Sequence, residues 1–155
     1  MTFTTWQPEP VDQPVVTPSS LSWLKSIAGE LATATLTRLD QTLPWYRDMP
    51  PARRAAIGSV AQNGITSFIQ WYEDPSSQPW VAADVFGSAP RELLRSISLQ
   101  ETLQVIRVVV EMVEELVVKE HPELHEAILR YSRDIAFSAA DVYAKAAEAR
   151  GLWDA

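Results

Sequence analysis

The chain holds two histidines, His121 and His125, whose spacing of four residues suits two metal ligands on one helix face. Glu120 and Glu123 stand beside them and could add oxygen ligands. Pro122 counts against this chemistry, because it places His121 at or before a helix start, where the two imidazoles need not face the same way. We interpret the segment as a solvated junction between a loop and a helix, with a metal or haem site as the alternative, and expect no cofactor.

The sequence contains none of the motifs that typically indicate an enzyme. It has no nucleophile elbow, phosphate-binding loop or dinucleotide fingerprint. It has no cysteine, which excludes disulfides and thiolate chemistry. Adjacent carboxylates such as Glu114 and Glu115 point in different directions on a helix and indicate a solvated face. We therefore expect a protein that binds or regulates rather than catalyses.

Two arginines after Pro90, Arg91 and Arg95, lie one helical turn apart and could bind an anion near a helix start. Ion pairing within the protein is the interpretation that we favour for these two residues and for Arg107. Their candidate partners are Glu92, Glu101 and Glu111.

A dense group of aromatic side chains predicts either the wall of a pocket for an apolar ligand or the closed end of a helical bundle. We favour the closed end. If a pocket exists, its candidate wall consists of Trp45, Tyr46, Phe68, Trp71, Tyr72 and Ile106.

The last predicted helix carries Phe137 in the middle of its polar arc, at 100° per residue. The charged members of that arc are Glu126, Arg130, Arg133, Asp141 and Glu148, and Glu126–Arg130 and Asp141–Lys145 are spaced for i,i+4 ion pairs. Either another segment of this chain covers Phe137 or a second chain does. Ala140 and Ala144 would let a second helix come close, so we predict a subunit contact formed by Phe137, Ala140 and Ala144.

Four main amphipathic helices must position these residues, since apolar residues recur there every three or four positions. The first begins near Ser19 and ends before Pro44. The second opens at Pro50 and Pro51 and continues to about Tyr72.

The third helix should begin at Ser98, because Ser98 and Glu101 have the spacing of a capping box. Pro122 separates it from the fourth helix, which runs to about Arg150. Gly151 then follows as a helix stop.

The run VIRVVVEMV is rich in β-branched residues, but its glutamates recur with helical spacing, so we expect a helix there and no strand. Gly64, in mid-helix, predicts the close approach of another helix. The predicted fold is all-α, a bundle or globin-like array of four main helices plus one or two short ones between 80 and 97.

Two parts differ in composition. Residues 1–18 hold four of the eleven prolines and are expected to form a flexible tail, whereas 19–155 form one helical domain. The formal net charge of −7 argues against this chain gripping nucleic acid or an anionic membrane. No signal peptide and no membrane-spanning run is visible, which favours a cytoplasmic protein.

Three segments resemble the N-terminal region of actinobacterial PucR-type transcriptional regulators, which include regulators of fatty-acid or polyketide synthase expression. They read LPWYRDMPPARRAAIGSVAQNGITSFIQWY, DVFGSAPRELLRSISLQETLQVIRVVVE and YSRDIAFSAADVYAKAAEARGLWDA. The region is also similar to the helical domain related to RsbR-type co-antagonist proteins.

The resemblance implies a cytoplasmic signal-input and dimerisation domain, with a small-molecule effector as a further expectation. In that family a middle domain and a DNA-binding helix-turn-helix follow, so the chain is expected to be a fragment of a longer polypeptide that reaches DNA only through the missing part. The family gives no ligand and no site residue for this domain. The alternative function is a helical protein that binds an acyl chain or another apolar small molecule.

Overall fold

The protein is described by a computed structural model that covers residues 18–75 and 96–154. Within these ranges it forms six α-helices and no strand, which confirms the predicted all-α class. The predicted tail, apart from Pro18, and almost all of the predicted short helices between 80 and 97 lie outside the described residues, as do Arg91 and Arg95.

The first predicted helix is two helices, α1 (Pro18–Ser26) and α2 (Ala28–Thr42). Ile27 interrupts them with φ −100° and ψ 4°. Hydrogen bonding continues across the interruption, because Ile27 N–H donates to the Trp23 carbonyl at 3.1 Å and Leu31 N–H donates to the Ile27 carbonyl at 2.9 Å. The prediction of one uninterrupted helix is therefore wrong at Ile27, although the hydrogen bonds continue through this residue.

The segment between the first and second predicted helices is itself partly helical. Leu43 is extended and ends α2, and Pro44 opens the four-residue helix α3 (Pro44–Arg47). Proline suits this first position because it has no N–H to lose and its φ is already helical. The long helix α4 (Pro51–Glu73) then begins at Pro51 and ends one residue beyond the predicted end.

Helix α5 (Leu99–Val113) begins with the predicted capping box. The Glu101 N–H donates to Ser98 Oγ at 3.0 Å, and the Ser98 N–H donates to Glu101 Oε1 at 2.9 Å. Beyond Val113 the helix widens into one π-helical turn, Glu114–Val118, which the periodicity did not predict.

Replacing Ser98 with alanine should lower the free energy of unfolding by about 1 kcal/mol, because one N-terminal N–H of α5 loses its acceptor. Urea denaturation followed by circular dichroism measures this. Ser59→Ala, at an exposed position inside α4, is the matched control and should leave stability unchanged or slightly higher. Equal effects of the two substitutions would contradict a stabilising cap.

Helix α6 (His125–Asp154) follows a short 3₁₀ turn, Pro122–Leu124. The predicted stop at Gly151 is wrong, because α6 continues through it to Asp154 and no described glycine has a positive φ. A glycine ends a helix by adopting the left-handed conformation, and Gly151 does not. With 30 residues, α6 is about 45 Å long.

The buried side chains form two clusters. The larger joins α1, α2, α4, α5 and α6, and the smaller lies around α3 and the facing parts of α2, α4 and α5. Among the described residues, three polar side chains are buried, and all three are hydrogen-bonded: Ser20 Oγ to Tyr72 Oη at 3.0 Å, Thr35 Oγ1 to the Leu31 carbonyl at 2.7 Å, and Thr102 Oγ1 to the Ser98 carbonyl at 3.0 Å. Within the part of the chain described, no helix is long and apolar enough to cross a membrane.

The close approach between helices occurs at Gly58 and not at Gly64, so that prediction is wrong. A Cβ added at Gly58 would lie 2.5 Å from Leu36 Cδ2 on α2. A Cβ added at Gly64 would meet no described atom within 4 Å. Gly64 instead borders the space between α4 and α5.

Candidate functional site: an apolar cavity and an exposed helix face

A cavity of about 110 Å³ lies between α4, α5 and α6. The three helices contribute wall residues within 57–68, 102–113 and 128–135, and Leu31 and Ile97 complete the wall. Helices α2 and α6 both pack closely on α5, whereas α4 and α5 contact each other little, which leaves this space open.

The wall of the cavity is chemically apolar. Among the described residues, it contains no charged side chain, and its three hydroxyl-bearing members are Thr102, Tyr131 and Ser132. Thr102 Oγ1 hydrogen-bonds to the Ser98 carbonyl at 3.0 Å, and Ser132 Oγ donates to the Leu129 carbonyl at 2.8 Å. These two hydroxyls are already engaged with the protein, so they offer little compensation to a charged or strongly polar guest.

A hydrogen-bond network at Thr102 fastens α6 to the start of α5. Tyr143 Oη lies 2.8 Å from Thr102 Oγ1 and donates to the Ile97 carbonyl at 3.0 Å. Burial raises the pKa of the Tyr143 hydroxyl, and its contact with the Thr102 hydroxyl offsets part of that rise. The hydroxyl therefore keeps its proton at neutral pH and remains a donor to Ile97.

The six predicted pocket residues do not form one wall in the structure. Phe68 and Ile106 line the cavity, and the other four do not. Trp71 packs against Tyr131 with ring centroids 5.5 Å apart. Tyr72 is fully buried and holds α1 through its hydrogen bond to Ser20.

The remaining two predicted pocket residues belong to the smaller cluster. Trp45 Nε1 donates to Gln104 Oε1 at 2.7 Å, which joins α3 to α5. Tyr46 is buried, and this burial raises the pKa of its hydroxyl. Sequence reasoning missed the rest of the wall, which consists largely of valines and isoleucines on α4, α5 and α6.

The predicted contact residues of α6 all lie on the surface. Phe137 is 68% exposed, and Ala140 and Ala144 are exposed beside it. No described segment covers the Phe137 ring. Both predicted ion pairs flank this face: Arg130 Nε lies 3.8 Å from Glu126 Oε1, and Lys145 Nζ lies 2.9 Å from Asp141 Oδ2.

Helix α6 becomes exposed to solvent after Tyr143. Ala139 is fully buried and Val142 packs against the larger cluster, but every residue from 144 to 149 is exposed. Residues 144–149 of α6 therefore have no packing partner among the described residues.

The two histidines lie in different surroundings. His121 Nδ1 lies 2.8 Å from Glu123 Oε1, and this hydrogen bond lowers the pKa of the Glu123 carboxyl. The His121 ring packs against Trp23 with centroids 4.5 Å apart, whereas His125 is exposed. Within residues 18–75 and 96–154, no cluster of three or more His, Cys, Asp or Glu side chains could hold a metal ion.

The arginine predictions are tested only at Arg107. Its Nε lies 3.1 Å from Glu111 Oε1, one of the predicted partners, but the pair is an exposed i,i+4 pair within α5 and not the predicted pair across neighbouring helices. The anion site at Arg91 and Arg95 stays a prediction, since both residues lie outside the described ranges.

No family model matches the chain. It is similar to an uncharacterized protein of Mycobacterium bovis and to uncharacterized proteins of two Mycobacterium tuberculosis strains, at 39% identity over 142 residues in each case. The match covers 88% of this chain and 34% of each relative. The chain thus spans about a third of the length of the curated relatives it matches.

Proposed function

We propose that this chain is the N-terminal regulatory domain of a cytoplasmic, PucR-type transcriptional regulator, where it receives a signal and forms a homodimer. The observation that carries the proposal is the exposed stretch 144–149 of α6. A long helix that packs on the core at one end and is exposed at the other can transmit a shift or rotation from the packed end to a partner that binds the exposed end.

The negative charge of the chain supports a separate DNA-binding part elsewhere in the protein. At a net charge of −7, the chain lacks the clustered lysines and arginines that neutralise phosphates. The relatives are about three times as long as the matched region, which leaves room for a separate DNA-binding part. In this proposal the DNA contact belongs to that other part.

The Phe137 face supports the homodimer. Phe137 is a large exposed aromatic side chain, the type that often anchors an interface, and Ala140 and Ala144 leave room for a second backbone. An antiparallel pairing of two α6 helices about Phe137 would also bring Arg133 of one copy opposite Asp141 of the other. That pairing is self-complementary, as a two-fold contact requires.

Two measurements on one pair of proteins test the proposal. Sedimentation equilibrium of the chain at high micromolar concentration should give the mass of a dimer, and a strict monomer would contradict dimerisation. In a gel-shift assay, the full-length M. tuberculosis relative should bind duplex DNA with an affinity that falls steeply with salt, whereas this chain should not bind. Absence of DNA binding by the full-length relative would contradict the regulator proposal.

A further inference from the structure

We propose that the cavity between α4, α5 and α6 is a binding site for an uncharged hydrocarbon group about the size of benzene, which can be a whole molecule or the end of a larger one. The inference depends on the size and chemistry of the cavity and not on the regulatory role. It would hold equally for a domain with no connection to DNA.

The size of the cavity is the first argument. Protein interiors are packed as densely as organic crystals, and few of their voids exceed one water molecule. At about 110 Å³, this cavity approaches the roughly 150 Å³ of an engineered apolar cavity that stays dry and binds benzene or xenon. A void of this size is large enough for a small hydrocarbon group.

The wall chemistry decides the class of ligand. Water needs two to four polar partners in a cavity. Here the hydroxyls of Thr102 and Ser132 already bond to the protein, and no charged side chain lines the described wall. A carboxylate or phosphate inside would lose its hydration with no charged partner, and the remaining wall hydroxyl, on Tyr131, would not compensate for that loss, so an uncharged apolar group fits best.

Gly64 supplies the second argument. The α4 wall residues at 57, 60, 61, 64, 65 and 68 have the spacing of one helix face, and Gly64 lies in the middle of that stripe. Gly64 is half-buried, and a Cβ there would meet no described atom within 4 Å. A larger side chain at this position would enter the cavity, so glycine keeps the space open.

Benzene is the probe, and benzoate is its charged counterpart. In the wild-type chain, benzene should shift the NMR signals of the Ile65, Val109 and Ile135 methyl groups saturably and raise the melting temperature. Benzoate should do neither. Absence of saturable methyl shifts with benzene would overturn the proposal.

Gly64→Leu should weaken benzene binding at least tenfold, because the new side chain occupies the site. Gly29→Leu is the matched control: Gly29 is also helical, its added Cβ also meets nothing within 4 Å, and it does not line the cavity. Val109→Phe fills the same space from α5 and serves if Gly64→Leu does not fold. Binding that survives a cavity-filling substitution, or is lost equally in Gly29→Leu, would overturn the assignment.

Discussion

Phe137→Asp should weaken self-association of the chain roughly 1,000-fold. A truncated aromatic anchor costs about 2 kcal/mol or more, and a two-fold interface contains each residue twice, so the loss is about 4 kcal/mol. The new carboxylates would also face each other across the axis. Because Phe137 is 68% exposed in the single chain, the free energy of unfolding of a monomer should change by no more than about 0.5 kcal/mol.

The matched control is Leu116→Asp, a second exposed apolar side chain, 42% accessible, on the π-helical turn and away from the Phe137 face. It should sediment as the wild type does. A Phe137→Asp variant with unchanged sedimentation would show that this face is not the interface. A variant that loses both assembly and helical content would assign Phe137 to folding instead.

Tyr72→Ala should destabilise the fold by about 3–5 kcal/mol, a large part of the roughly 5–15 kcal/mol that such domains possess. Tyr72 is completely buried, and its ring packs on Phe68 with centroids 6.2 Å apart. The substitution leaves a cavity and removes the hydroxyl that hydrogen-bonds to the buried Ser20 Oγ. Guanidinium denaturation followed by circular dichroism measures the loss.

Tyr72→Phe separates the two contributions, because it keeps the ring and removes only the hydroxyl. It should cost about 1 kcal/mol, the usual net value of one hydrogen bond. If Tyr72→Ala and Tyr72→Phe had equal effects, packing of the ring would contribute nothing. A small effect of both would contradict the burial of Tyr72.

The sequence predicts helix starts that depend only on residues a few positions apart. The capping box at Ser98 and Glu101 involves residues three positions apart, and Pro51 fixes its own φ, so both helix starts follow from the sequence. The VIRVVVEMV run is helical despite its β-branched residues, because its amphipathic period matches the surfaces of α2 and α6 that it contacts.

Sequence reasoning missed features that no local signal marks. The interruption at Ile27 and the π-helical turn Glu114–Val118 carry no proline, glycine or cap that would indicate them. Sequence reasoning treats the aromatic residues as one group. In the structure, α3 places Trp45 and Tyr46 at a separate cluster. The cavity exists because the side chains of three helices together do not fill the space between them. No single stretch of sequence shows this shortfall.

The exposure of residues 144–149 of α6 has a thermodynamic consequence. A helix of about ten residues without tertiary contacts is marginally stable in water, even when it is rich in alanine. Residues 144–149 therefore gain most of their order from whatever buries them. If that is a second copy, the helix–coil balance of this stretch becomes a function of protein concentration, while the part of α6 that faces the core folds independently of it.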